Sequence, residues 1–219
     1  MMLADLEIQP ILLYLDNEDK WKQRTLEGEQ HFNSVGITDI LKVKGIHGES
    51  FGIEGTLEYN YDNPHLHHKI GTPNTSLCLS MQIVYQVELN HRCDYFLFLE
   101  DDSRFKDNWK EVVEQALREI PKDFDFLFVG SCCAAGKQGI KVGTNLFHYP
   151  HRRGSYAQYP LCGNAYIVAK KALPKILETQ RTAYVNVDIN LAVNTFPYLN
   201  VYAILPRIVE QNNNEHLPH

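Results

Sequence analysis

Three consecutive carboxylates, Glu100-Asp101-Asp102, follow directly on the apolar run Tyr95-Phe96-Leu97-Phe98-Leu99. Ionised side chains this close repel one another, and the usual relief is a bound cation. Carboxylate oxygens are hard ligands that suit Mg2+ or Mn2+. An ion held there can bridge a diphosphate and neutralise the charge growing on a nucleotide leaving group. The bland alternative is an acidic turn that caps the helix after it.

The elements around the cluster set its position. Tyr95 to Leu99 is apolar on both faces, as an interior strand of a covered sheet must be. In open α/β sheets the ligand site lies beyond the carboxyl ends of the strands, which is where the three acids fall. Ile11 to Leu15 reads as another buried strand, ending at Asp16-Asn17. Trp21, Thr25, Gly28, Phe32 and Val35 recur at steps of four and three, one face of a helix that Gly36 stops. Ile37 to Val43 then predicts a second strand, which makes the opening a β-α-β unit. Gly45 to Asn74 is poor in periodicity and reads as a long loop. Leu79, Ile83, Val87 and their neighbours predict a helix ending near Asn90. A further helix spans about Asp107 to Ile120, capped by Asp107 or Asn108 and closed by Pro121. Phe124 to Val129 reads as a strand stopped by Gly130, and Ser131 to Pro160 as glycine-rich loop. Asn164 to Ala169 and Val201 to Leu205 are strands, Lys170 to Thr179 and Val187 to Val193 helices. With no repeat and no linker, residues 1–219 predict one α/β domain with a mainly parallel central sheet and a flexible tail over 211–219.

Several short segments, in order, resemble the glycosyltransferase family 25 proteins, which include lipo-oligosaccharide sugar transferases and collagen galactosyltransferases. Phe96-Leu97-Phe98-Leu99-Glu100-Asp101-Asp102 resembles the family's "φ-L-E-D-D" segment, and Ile11 to Asp16 its opening "I-N-L-D" strand. Ser76 to Ser80 resembles "G-C-x-L-S-H", and Phe124 to Gly130 resembles "W-D-I-L-Y-L-G". Cys162 to Val168 with Lys170-Lys171-Ala172 resembles "G-T-x-A-Y-x-I-S-x-x-G-A", and Val187-Asp188 a late "x-D" pair. The family's "D-R-R" is Asp16-Asn17-Glu18 here, and its "S-H" is Ser80-Met81. The resemblance covers about residues 10 to 211 and implies a Rossmann-type sandwich of the GT-A kind.

It also implies roles. The activity would be metal-dependent transfer of a sugar from a nucleoside-diphosphate sugar, a UDP-sugar first, to a hydroxyl of a glycan or other acceptor. Asp102 would bind the Mn2+ or Mg2+, with Asp101 and Glu100 as supporting acids. Tyr14, Leu15, Asp16 and Arg24 would meet the nucleotide. The alternative for Asp16 is a cap on the helix that follows. Asp188 would be the general base that takes the acceptor proton, with inversion at the anomeric carbon. Its alternative is an acid favoured by a helix N-terminus. Gly163 to Tyr166 would line the acceptor side, unless it is only the start of a strand with Tyr166 in the core. Arg152 and Arg153, with His148 and His151, form a local basic spot that could close over a diphosphate. His65, His67 and His68 have spacing that zinc could use, but no cysteine partner follows.

A sugar-nucleotide nucleotidyltransferase would share the acidic site. It would be expected to carry a glycine-rich basic loop after the first strand, where Asp16-Asn17-Glu18-Asp19 is acidic. A non-catalytic sugar-binding relative would more readily have lost Asp102 or Asp188. The net charge of −6 over 219 residues offers no broad basic field for nucleic acid. Met1 to Asp5 shows no basic region followed by an apolar run, and no run approaches the roughly 18 apolar residues of a membrane span, so a soluble protein is expected. The five cysteines are odd in number with no C-x-x-C pair. They predict reduced thiols in a cytoplasmic protein.

Overall fold

A computed structural model describes residues 1–48, 57–58, 69–70, 72–132, 139–150, 158–181 and 186–212. Among the described residues thirteen strands and the main helices follow in chain order. They are β1 (Met2–Leu3), β2 (Leu6–Tyr14), α1 (Asp19–Ser34), β3 (Leu41–Lys44), β4 (Leu57–Glu58), β5 (Lys69–Ile70) and α2 (Thr72–Asn90). Then come β6 (Tyr95–Glu100), β7 (Ser103–Phe105), α3 (Trp109–Glu119), β8 (Phe126–Cys132), β9 (Ile140–Lys141) and β10 (Leu146–Tyr149). β11 (Leu161–Ala169), the helices Leu173–Thr179 and Val187–Asn190, β12 (Val201–Ile204) and β13 (Val209–Gln211) complete the chain.

One central sheet runs β1-β2-β6-β11-β8-β12-β10-β9, with β3 on the other side of β2. β2, β3, β6, β8 and β12 all point the same way. β11 is inserted against them, antiparallel to both β6 and β8. The α/β class and the mainly parallel sheet expected from the sequence are therefore present. The antiparallel insert explains why β11 matters below: its start, not its end, lies at the carboxyl edge of its neighbours.

Alternation along β6 divides the core. Leu97 and Leu99 face α1 and α3, packing with Phe32, Trp109 and Val113. Phe96 and Phe98 face the other way, onto Val84 and Tyr85 of α2 and the Leu173–Thr179 helix. Phe98, Tyr166 and Phe126 stack across three adjacent strands, with centroids 4.8 and 4.4 Å apart. This period of two, apolar on both faces, is what a sheet covered by helices on both sides requires.

Several elements differ from expectation. α2 ends at Asn90 as expected but starts at Thr72, inside the stretch read as loop, and its stripe Leu79, Ile83, Val87 lies outward, with Ile83 exposed. The inner side is Met81, Val84, Tyr85 and Glu88. The buried carboxyl at Glu88 breaks the apolar pattern, so the outward stripe is the more regular one. β8 does not stop at Gly130 but continues to Cys132. β9 and β10 lie within the stretch read as loop, because His148 and Tyr149 pair with Tyr202 and Val201 of β12. Gln211 is not frayed tail but the end of β13, which pairs with β7. Neither Asp107 nor Asn108 supplies a side-chain cap to α3. Cys78 and Cys93 are thiols, whereas Cys162 is disulfide-bonded, which corrects the expectation of five reduced cysteines. No helix among the described residues is long and apolar enough to cross a membrane.

Candidate functional site

The acidic triplet sits where β6 ends, at the carboxyl edge of the sheet. α1 lies close over it because Gly28 has no side chain. A Cβ there would stand 2.4 Å from the Asp101 carbonyl oxygen. That close approach brings Arg24 and Thr25, one turn earlier on the same face, onto the carboxylates. Arg24 Nε donates to Asp101 Oδ1 at 2.6 Å, and its Nη2 lies 3.0 Å from Asp102 Oδ2. Thr25 Oγ1 donates to Asp101 Oδ2 at 3.4 Å. We expect Gly28→Ala to destabilise the fold by about 1–3 kcal/mol, the cost of overpacking against rigid backbone. Urea unfolding measures it, and an unchanged midpoint would mean that α1 can withdraw freely.

Arg24 thus answers part of the repulsion that the sequence alone assigns to a metal. Burial works to lower its pKa, but Asp101, Asp102 and Glu100 more than offset this and raise it. Asp101 has both oxygens engaged and is 7% exposed, so it acts as the anchor between α1 and β6. Asp102 differs. Its Oδ2 meets Arg24, but its Oδ1 is buried without a hydrogen-bond partner. Glu100 accepts a long bond of 3.3 Å from Gln211 Nε2. Burial, then the Asp102 charge, pushes its carboxyl up to about 7.

Such an arrangement fits a divalent ion that leans on few protein ligands. Asp102 Oδ1 is an unsatisfied acceptor, and a second carboxylate, Glu100, is close enough to feel its charge. Among the described residues no three His, Cys, Asp or Glu side chains form a complete cage. Mg2+ bound to a nucleotide needs no such cage, since it is held by one or two carboxylates together with phosphates.

Beside the triplet, beyond the ends of β2 and β3, lies an apolar cavity of about 230 Å3. Leu13, Leu15, Trp21, Ile46, Leu77 and Ser80 line it. The indole N–H of Trp21 is buried there without an acceptor. Leu15, just past the end of β2, forms part of its wall. Trp21 was legible only as a helix-face residue, and its orphaned donor shows in three dimensions alone. Asp16 pairs with Lys44 at 2.6 Å instead of capping α1, and Tyr14 lies under Lys42.

Asp188 stands in the first turn of the Val187–Asn190 helix, which packs against α2 and β11. The N–H groups of Ile189 and Cys162 donate to its two oxygens, at 2.8 and 3.3 Å. Cys162 begins the irregular part of β11. It has a φ of +59°, and the pairing with β8 shifts register between Leu161 and Tyr166. Positive φ in a residue other than glycine is strained, and bulges beside sites re-aim side chains. Tyr166 is in the core, 2% exposed, and its hydroxyl donates to that of Tyr85. His148 stacks on Tyr202 within the sheet. His65, His67, His68, His151, Arg152 and Arg153 lie outside the described residues, and so do residues 213–219 of the expected tail.

No family model matches the chain, and no curated protein matches it. Solved structures do resemble it at low identity. A glycosyltransferase involved in the glycosylation of the major capsid of PBCV-1 superposes with a TM-score of 0.46 at 12% identity, over 89% of this chain and 80% of that one. Mannose-1-phosphate geranyltransferase from Thermus thermophilus gives a TM-score of 0.49 at 9% identity, over 94% and 76%. A197 from STIV gives 0.46 at 11%, over 93% and 84%.

Proposed function

We propose that the chain is a metal-dependent glycosyltransferase of the GT-A kind. It moves a sugar from a nucleoside-diphosphate sugar, a UDP-sugar first, to an acceptor hydroxyl with inversion at the anomeric carbon. The observation that carries the reading is Asp102 Oδ1, a buried carboxylate oxygen without a partner. It stands just past the end of β6, at the carboxyl edge of the sheet.

In this reading the cavity takes the nucleotide base and ribose, and the Trp21 indole N–H donates to one of their acceptors. Asp102, with Glu100, holds the Mn2+ or Mg2+, whose chemistry is to neutralise charge on the departing diphosphate. Arg24 keeps Asp101 and Asp102 in place. Asp188, its oxygens oriented by two backbone N–H groups, takes the proton of the attacking hydroxyl. Family 25 membership, the donor base and the acceptor are proposals resting on the quoted segments.

Thermal melting with UDP, GDP and CDP, each with and without Mn2+, tests the reading. A nucleotide that binds only the folded state raises the melting temperature. A metal-dependent rise with one nucleotide is expected. No rise with any of them at millimolar concentration would sink the donor site. Trp21→Phe keeps an aromatic ring and removes the donor. It should weaken the same nucleotide about five- to tenfold, the worth of one hydrogen bond, as read by calorimetry. Unchanged affinity would place the nucleotide elsewhere.

A further inference from the structure

A second cavity, of about 310 Å3, opens on the β11 and β13 side of the triplet. Ser131, Cys162, Asn164, Arg207, Glu210 and Gln211 are among its lining, which is mostly polar. Nothing in the donor reading uses it. Asn164 is its deepest polar member at 3% exposure, and its Oδ1 is buried without a partner. The backbone around it is built to hold this position. Ser103 Oγ donates to the Asn164 carbonyl at 2.6 Å. Gly130, on the neighbouring strand, leaves the room: a Cβ there would lie 2.6 Å from Asn164 Oδ1.

The chemistry of the lining limits the occupant. An unpaired buried acceptor costs about 1–3 kcal/mol and calls for a donor. Phosphate and carboxylate groups are acceptors when ionised, so neither answers Asn164 Oδ1. A hydroxyl does. Arg207 and Glu210 give the lining one charge of each sign, and Glu210 is itself paired with Lys106 at 3.0 Å. Arg207 makes one long bond, 3.3 Å to the Ser131 carbonyl, which leaves its guanidinium donors for a ligand. The volume is at the lower end of the ligand-pocket range of about 300–1,000 Å3, room for one ring and not for a long glycan.

We propose that this cavity is a monosaccharide subsite, with Asn164 and Arg207 hydrogen-bonding ring hydroxyls of a neutral sugar. It rests on the glycosyltransferase reading for its purpose. Gln211 connects it to Glu100, and the Cys162 N–H connects it to Asp188. A sugar seated here lies next to the base that would deprotonate it.

The test is saturation-transfer NMR on the full chain with UDP and Mg2+ present. The probes are the methyl glycosides of glucose, galactose, mannose and N-acetylglucosamine at tens of millimolar. At least one should receive magnetisation from the wild type. Asn164→Ala and Arg207→Ala should each reduce that signal about fivefold, the worth of one hydrogen bond, while the UDP melting shift persists. Arg207 is exposed, so its variant reports even where the buried Asn164 variant fails to fold. Absence of signal from all four glycosides, or a signal both variants retain, overturns the subsite. A glycoside signal with the expected losses, but no melting shift with any nucleotide, upholds the subsite and removes the transferase reading.

Discussion

Asp188→Asn should lower kcat for sugar transfer by about 10^2- to 10^4-fold, the range for loss of a general base. The substitution is nearly isosteric. Asn keeps one oxygen, which can still accept from the Ile189 N–H at 2.8 Å, and presents its amide towards the Cys162 N–H, whose bond is already long at 3.3 Å. The local fold should therefore survive, while the ability to take a proton is gone. Nucleotide affinity should not change, because Asp188 is not among the residues that line the apolar cavity. The effect should thus fall on kcat with little on the donor KM, the signature of an interaction made in the transition state. Asp102→Asn should behave in the opposite way and abolish the metal-dependent rise in melting temperature. If Asp188→Asn retains full kcat, Asp188 is only a helix-terminal acid. If it loses the nucleotide as well, the two sides of the site are not separate, and the division of labour proposed for them fails.

How far the sequence anticipates this site depends on which physical signal each residue leaves. β6 is legible because five consecutive apolar residues leave little choice, and the acids that end it fall at the sheet edge by the same logic. The relief of their repulsion is not legible. A lone metal is the simplest solution for three adjacent carboxylates, but Arg24 lies 77 positions before Asp101. Their meeting depends on Gly28 permitting close contact of helix and backbone. That constraint links two distant segments, and no local periodicity encodes it. β11 misleads for a related reason. Its inner half, Ala165 to Ala169, is apolar and reads as strand, whereas Cys162 to Asn164 is strained and bulged. There a positive φ and a register shift override the local pattern. β9 and β13 escape notice because strands of two and three residues carry little hydrophobic signal, although β13 supplies the Gln211 that reaches Glu100.

The least legible residue is Glu88, and it carries the largest expected effect on stability. It lies on the inner side of α2, 0% exposed, with both carboxyl oxygens lacking partners. Burial raises its pKa well above the ordinary carboxylate range. The nearby hydroxyls of Tyr85 and Tyr166, which feel its charge, are themselves held neutral by burial. In the unfolded chain Glu88 releases its proton near the usual value of about 4.3. In the fold it keeps the proton to a higher pH. Between these two values the folded state binds one proton more than the unfolded state. Stability conferred by the protonated carboxyl is then complete below the unfolded value and is lost as pH rises towards the folded one. The slope is about 1.4 kcal/mol per pH unit. Glu88→Gln cannot titrate, so the variant should match the wild type at a pH of about 4 and pull ahead as pH rises, by up to about 4 kcal/mol at neutrality, the limit that this slope sets. Urea unfolding of both proteins across that range, with equal m-values as the check on two-state behaviour, measures the gap. A gap that stays constant with pH would mean that Glu88 is ionised in the fold and has found a partner. A gap that widens would show that this core holds a proton in place of an ion pair.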